Sequence, residues 1–186
     1  MVRVAVFASG NGSNFEALFH AKKTYEIACL IVDDEQAHAI SRAKRLNVPF
    51  HVVSRASYIS RKAHEEAIYK ILKSYDIHYI CLAGYMRILT DYLIENFQNR
   101  ILNIHPSLLP SFPGRHAIKD ALSHGVKVTG VTVFYVDCGI DTGKIIAQEV
   151  VGIEEGMTQD TLEEKIHQVE HRIYSQTLEK VIGGEL

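Results

Sequence analysis

Short apolar runs alternate along this chain with longer stretches in which apolar residues recur every third or fourth position. The runs RVAVFA (Arg3 to Ala8), IACLIV (Ile27 to Val32), PFHVV (Pro49 to Val53), IHYICLA (Ile77 to Ala83) and RILNI (Arg100 to Ile104) are rich in β-branched residues and bounded by turn formers, so they predict strands. The stretches Asn14 to Lys22, Gln36 to Leu46, Ser57 to Ser74 and Thr90 to Phe97 carry the apolar spacing of helices. Strands separated by helices pair in parallel through right-handed crossovers, which predicts the start of a doubly wound α/β sheet.

The pattern changes after Pro113. A helix to about Ser123 is followed by VKVTGVTVFYV and GKIIAQEVV, two strand-like runs with only DCGIDT between them. That link is too short for a crossover helix, so an antiparallel hairpin is expected on an otherwise parallel sheet. Thr158 opens a last helix, with Gln159, Asp160 and Glu163 near its positive end and Leu162, Ile166, Val169, Ile173 and Leu178 at helical spacing. The expected fold is α/β: a doubly wound, mostly parallel twisted sheet with an antiparallel hairpin in the C-terminal half. No repeat, linker or low-complexity segment divides it, and residues 1–186 are expected to form a single domain.

Ligands of open α/β sheets bind beyond the carboxyl ends of the strands, so chemistry is sought there. The first strand runs into SGNGSN, where Gly10 and Gly12 permit a sharp turn and Ser13 and Asn14 are expected to cap a helix whose free N–H groups face an anion. Phe15 stands where a dinucleotide fingerprint needs its third Gly, and no Gly-Lys-Ser/Thr follows for a P-loop. The fourth strand runs into LAGYMRIL, which offers a turn at Gly84, apolar Met86, Ile88 and Leu89, and a charge on Arg87. By itself that segment decides little.

The fifth strand ends in NIHP. Strand side chains alternate, so Asn103 and His105 point to one face and Ile104 to the other, and Pro106 stops the ladder. An amide and an imidazole side by side at a strand end suit an oxygen that gains negative charge during a reaction. Either of two carboxylates in the hairpin link, Asp137 or Asp141, would hold the imidazole in its tautomer and favour its protonated form. Spacing alone leaves both open. His116 follows the Pro-Gly turn and is a candidate for the same cleft, whereas His20, His38, His64, His78, His124 and His167 sit in contexts expected to be solvated.

Composition narrows the partners. A net charge of -2 gives no basic footprint for nucleic acid, and no apolar run is long enough for a membrane span or a signal peptide, so small-molecule ligands and a cytoplasmic setting are expected. Cys29, Cys81 and Cys138 are odd in number and lack ligand spacing, which argues against a disulfide scaffold or a zinc site. At 47% hydrophobic content over 186 residues, the chain is expected to bury a core without staples.

Taken together and in order, SGNGSN, LAGYMRIL, ILNIHPSLLPSFPG, GVTVFYVD and GIDTGKII resemble the folate-dependent glycinamide ribonucleotide formyltransferase family of purine synthesis. The resemblance covers most of the chain, and the length fits a form without the added domains of methionyl-tRNA formyltransferase or formyltetrahydrofolate hydrolase. It implies the formyltransferase fold, 10-formyltetrahydrofolate as co-substrate, glycinamide ribonucleotide as acceptor, no metal, and a monomer or homodimer. It implies that Gly12, Ser13 and Asn14 hold the substrate phosphate, that Glu170 lies near the glycinamide end, and that Asn103, His105 and Asp141 are the catalytic trio. It further implies that Met86, Arg87, Ile88 and Leu89 line the folate pocket with Arg61 nearby, that Asn103 also faces the folate, and that His116 lies near the transferred group. Three other readings compete: hydrolysis of the formyl folate, formyl transfer to a nucleotide-sugar amine, and a binding module without turnover.

Overall fold

The computed structural model describes residues 1–185. It contains a seven-stranded sheet of β1 (Val2–Ala8), β2 (Tyr25–Val32), β3 (Phe50–Val52), β4 (Tyr79–Leu82), β5 (Ile101–His105), β6 (Val128–Tyr135) and β7 (Ile145–Gly152). Their spatial order is β3-β2-β1-β4-β5-β6-β7. The first five run parallel, while β6 is antiparallel to both β5 and β7. The antiparallel character expected of the hairpin therefore reaches one strand further, to the β5–β6 pair. The strands of the hairpin also stop earlier than their apolar runs, so the link spans residues 136–144 rather than DCGIDT alone. Gly143 is required within it, since a Cβ there would lie 1.7 Å from the Tyr135 carbonyl oxygen.

Helices α1 (Ser13–Ala21), α2 (Ala39–Arg45), α3 (Arg61–Ser74), α4 (Asp91–Asn96), α5 (Ala117–His124) and α6 (Gln159–Gly183) cover both faces of the sheet. One face is packed with α1, α2 and α6, through Phe15, Leu18, Ala39, Ala43, Ile166 and Leu178 against Val4, Val6 and Leu102. The other is packed with α3 and α4, through Ile68, Leu72 and Leu93 against Ala5, Phe7, Ile80 and Ile101. With both faces covered, β1 and β2 read as near-continuous apolar runs rather than as alternation.

Helix starts depart from the apolar pattern where side chains favour another turn. The stretch from Gln36 becomes helical only at Ala39, because Asp34 accepts the Gln36 N–H on its side chain at 2.8 Å and the Ala37 N–H on its carbonyl at 3.2 Å. The stretch from Ser57 splits into a 3-10 turn at Arg55–Ser57 and α3, whose N-cap Ser60 accepts the Ala63 N–H at 3.0 Å. Thr158 is the N-cap of α6, as expected, but its partner in the capping box is Thr161 rather than an acidic residue.

Tyr174, fully buried on α6, ties that helix to the middle of the sheet: its hydroxyl meets the carbonyls of Leu82 at 2.9 Å and Leu102 at 3.0 Å, on adjacent strands. Tyr174→Phe is expected to cost about 1–2 kcal/mol, because the shape is kept and only these contacts are lost. A lower urea midpoint with an unchanged slope would show it; an unchanged midpoint would count against the tie.

Candidate active site

The sheet order reverses at β1: β2 and β3 lie to one side of it, β4 to β7 to the other. Chains leaving β1 and β4 therefore diverge to opposite faces, and a crevice opens between them at the carboxyl edge. A cleft of about 880 Å³ occupies this position and continues past the end of β5, the hairpin link and one face of α6.

Asn103 and His105 both line this cleft, as their shared strand face requires, while Leu102 and Ile104 face the core on the side of α6. His105 is 5% exposed, and its Nε2–H donates to the Phe112 carbonyl at 2.8 Å. A carbonyl only accepts, which fixes the proton on Nε2. The other ring nitrogen, Nδ1, faces Asp141 Oδ2 at 3.6 Å, an ion-pair separation rather than a hydrogen bond. The same Asp141 oxygen accepts the Gly114 N–H at 2.8 Å. Asp141 adopts a left-handed backbone, φ 55°, a conformation that Asp tolerates better than most residues. Of the two carboxylates left open by spacing, it is the one beside the imidazole. Asp137 instead accepts the Gly139 N–H at 3.0 Å and the Thr142 hydroxyl at 2.8 Å, closing its own turn.

The loop that presents the Phe112 carbonyl is anchored from behind. Thr132 on β6 donates to the Ser107 carbonyl at 2.7 Å and accepts the Leu109 N–H at 3.0 Å, and Gln148 on β7 donates to the Leu109 carbonyl at 2.9 Å. Gly130, on the same strand, lets Leu108 pack where a Cβ would lie 2.5 Å from its Cδ2.

At the other end of the cleft, Gly12, Ser13 and Asn14 begin α1. The expected capping by Ser13 and Asn14 is corrected here: Gly12 is itself the N-cap, no side chain caps the helix, and Ser13 is already helical. Gly12 needs its missing side chain twice over, for a φ of 76° and because a Cβ would sit 2.7 Å from that of Ala39. The N–H groups of this first turn have no intrahelical acceptor and open on the cleft. Asn14 turns its amide to α6, donating from Nδ2 to Glu170 Oε2 at 2.9 Å, while its Oδ1 is buried without a partner among the described residues. Glu170 also lines the cleft.

Met86, Arg87, Ile88 and Leu89 line a third wall. Met86 and Ile88 are half exposed, Leu89 is buried, and the Arg87 Nε–H pairs with buried Asp33 at the end of β2. Ser9 fixes the start of this segment, its N–H donating to the Gly84 carbonyl at 3.0 Å and its hydroxyl accepting the Met86 N–H at 2.8 Å. His116 is exposed at the N-terminus of α5 and lines the cleft. Arg61 is not brought in: it is the first residue of α3, exposed just after the Ser60 cap, and lies outside the cleft lining.

Residues of α6 went unrecognised in sequence. Glu163, His167 and His171 line the cleft beside Glu170, and the His167 and His171 rings stack at 6.3 Å. His167 was expected in solvent; its Nε2 lies 3.9 Å from Glu170 Oε2. Burial, then the charges of His167 and Arg42, lower the pKa of His171. The signal lay in their spacing, which puts 163, 167, 170 and 171 on one helical stripe beside the apolar one. His64, also expected in solvent, is instead buried: it is 4% exposed, with Nε2 2.8 Å from the Val53 carbonyl. Among the described residues no cluster of His, Cys, Asp and Glu is placed to hold a metal ion, and no helix is long and apolar enough to cross a membrane.

A bare helix end, an amide with an imidazole and carboxylate, and an apolar wall around one cleft match a known group. The chain belongs to the formyl transferase family, whose model matches residues 2–178. It is 44% identical over 187 residues to phosphoribosylglycinamide formyltransferase of Bacillus subtilis (strain 168), covering 98% of this chain and 96% of that one. Among solved structures, the phosphoribosylglycinamide formyltransferase from Bacillus Halodurans superposes with a TM-score of 0.94 at 47% identity, over 97% of this chain and 95% of that one. Glycinamide ribonucleotide transformylase 1 from Symbiobacterium toebii gives a TM-score of 0.96 at 41% identity, over 99% and 89% of the two chains.

Burial raises the pKa of the Glu170 carboxyl above its ordinary 4.5, against the opposing pull of the Asn14 amide and His167 and with the help of Glu163. Between 4.5 and the raised value the folded chain holds a proton that the unfolded chain has released, so the folded state loses stability as pH rises through that window. Glu170→Gln is neutral at every pH. Its urea midpoint relative to the parent chain is expected to climb as pH rises across the window and then level off. A pH-independent offset would contradict the assignment.

Proposed function

We propose that the chain transfers the formyl group of 10-formyltetrahydrofolate to the primary amine of glycinamide ribonucleotide, yielding formylglycinamide ribonucleotide and tetrahydrofolate. The observation that carries this reading is the convergence of Asn103 and His105, with Asp141 beside the ring, between an uncapped helix end and an apolar wall. The ribonucleotide phosphate takes the N–H groups of Gly12, Ser13 and Asn14, and Glu170 faces its glycinamide end. The folate lies against Met86, Arg87, Ile88 and Leu89 and reaches Asn103, with His116 at the mouth.

In the reaction the neutral amine attacks the formyl carbon, forming a C–N bond and a tetrahedral intermediate with an anionic oxygen. The Asn103 amide and His105, oriented by the Phe112 carbonyl on one side and Asp141 on the other, stabilise that oxygen. Collapse breaks the bond to N10 of the folate, and the proton lost by the attacking nitrogen passes to N10, relayed by water held near Asp141 or His105. No nucleophilic side chain and no metal enters the scheme. The groups it uses are on this chain, which suits a monomer or a homodimer alike, and the setting we infer is the cytoplasm. Hydrolysis of the formyl folate would use the same three residues with water as acceptor, but it gives the phosphate cradle of α1 nothing to do.

Following deformylated folate with and without the ribonucleotide separates these outcomes. Release that depends on glycinamide ribonucleotide supports transfer, while equal release without it would mean hydrolysis. Asn103→Ala and His105→Ala are each expected to lower kcat about a hundred- to a thousandfold with folding intact, as loss of one oxyanion donor does. Near-normal turnover in either would remove that residue from the mechanism.

A further inference from the structure

The segment from Ala83 to Thr90 carries Met86, Arg87, Ile88 and Leu89 into the cleft yet has no helix or strand of its own. Its position depends on what ties it to the scaffold. Ser9 holds its start, and Asp33 holds Arg87 in its middle. Its end is held by Glu65, a residue of α3 outside the cleft and only 3% exposed. Glu65 shares the buried face of α3 with Ile68 and Leu72, three and seven positions on. Its Oε1 accepts the Thr90 N–H at 2.7 Å, and its Oε2 accepts the Thr90 hydroxyl at 2.6 Å and the Leu93 N–H at 3.3 Å.

Thr90 is the N-cap of α4, but its side chain caps nothing within that helix and donates to Glu65 instead. The carboxylate supplies the cap from a neighbouring helix, taking the Thr90 N–H and sharing the Leu93 N–H with the Thr90 carbonyl, which lies 3.2 Å from it. Among the described residues no cation pairs with it, so these three donors are what hold the buried charge. An acidic side chain kept in this position fixes Thr90 and Leu93, and with them the end of the apolar wall at Ile88 and Leu89.

We propose that Glu65 is a positioning residue for folate binding, acting through Thr90 on the 83–90 segment without touching either substrate. This rests on the reading that residues 86–89 form the folate wall. Steady-state kinetics of Glu65→Ala, Glu65→Gln, Thr90→Val and Ile88→Ala in the full chain test it. Glu65→Ala is expected to raise KM for formyl folate about five- to tenfold, with kcat and KM for the ribonucleotide changed by less than about twofold. Glu65→Gln, which keeps an acceptor for the Thr90 N–H, recovers part of the loss.

If Glu65→Ala does not fold, Glu65→Gln and Thr90→Val carry the test: each raises the folate KM, and the double variant raises it by less than the product of the two, because both act on one contact. An unchanged folate KM in these variants while Ile88→Ala raises it overturns the inference and leaves the site reading standing. An unchanged folate KM in Ile88→Ala overturns that reading and the inference with it. Equal rises for both substrates, or a fall in kcat alone, would mark Glu65 as merely structural and overturn the proposal as well.

Discussion

The imidazole of His105 is gripped on both sides, by a backbone carbonyl on Nε2 and a carboxylate facing Nδ1, and much of the molecule serves to keep those two acceptors in place. The carbonyl comes from Phe112, in a loop pinned to β6 and β7 through Thr132 and Gln148. The carboxylate comes from the hairpin link, steadied by the Gly114 N–H. The antiparallel strands β6 and β7 thus do more than complete the sheet. They bring the loop after β5 and the link between themselves to the same point.

The parallel half and α6 supply the walls. Because the strand order reverses at β1, the chain leaving β1 and the chain leaving β4 part company and leave a crevice that the end of β5 closes from the side. Each wall is made by a different device: the bare helix end at Gly12 to Asn14, the irregular segment after Gly84, and the polar stripe of α6. The Asn14 to Glu170 hydrogen bond joins the first to the third. On the proposed function, the anionic ligand lies at the helix end, the flat, partly apolar one lies along residues 86–89, and their reacting groups meet at the pair on β5.

Much of this was legible in the sequence because parallel strands buried on both faces leave continuous apolar runs, and because alternation along NIHP places Asn103 and His105 together whatever lies around them. The choice of Asp141 over Asp137 was not legible locally, since it depends on a left-handed backbone at Asp141 and on Asp137 spending its carboxylate within its own turn. The resemblance to the formyltransferases named Asp141, whose carboxylate oxygen lies 3.6 Å from Nδ1 of His105. His167 and His171 escaped notice because a His among charged neighbours on a helix looks solvated until it is known which face the helix turns to the cleft.

The central claim is that the helix end after β1, the segment after β4 and the pair on β5 act on one reacting centre. It is tested most directly by the structure of a ternary complex with glycinamide ribonucleotide and a formyl-folate analogue that cannot release its one-carbon group. The account predicts phosphate against the N–H groups of Gly12 to Asn14, the folate along Met86 to Leu89, and the one-carbon group within hydrogen-bond reach of both Asn103 and His105. A complex in which the two ligands bind productively with that group turned away from Asn103 and His105 would contradict it.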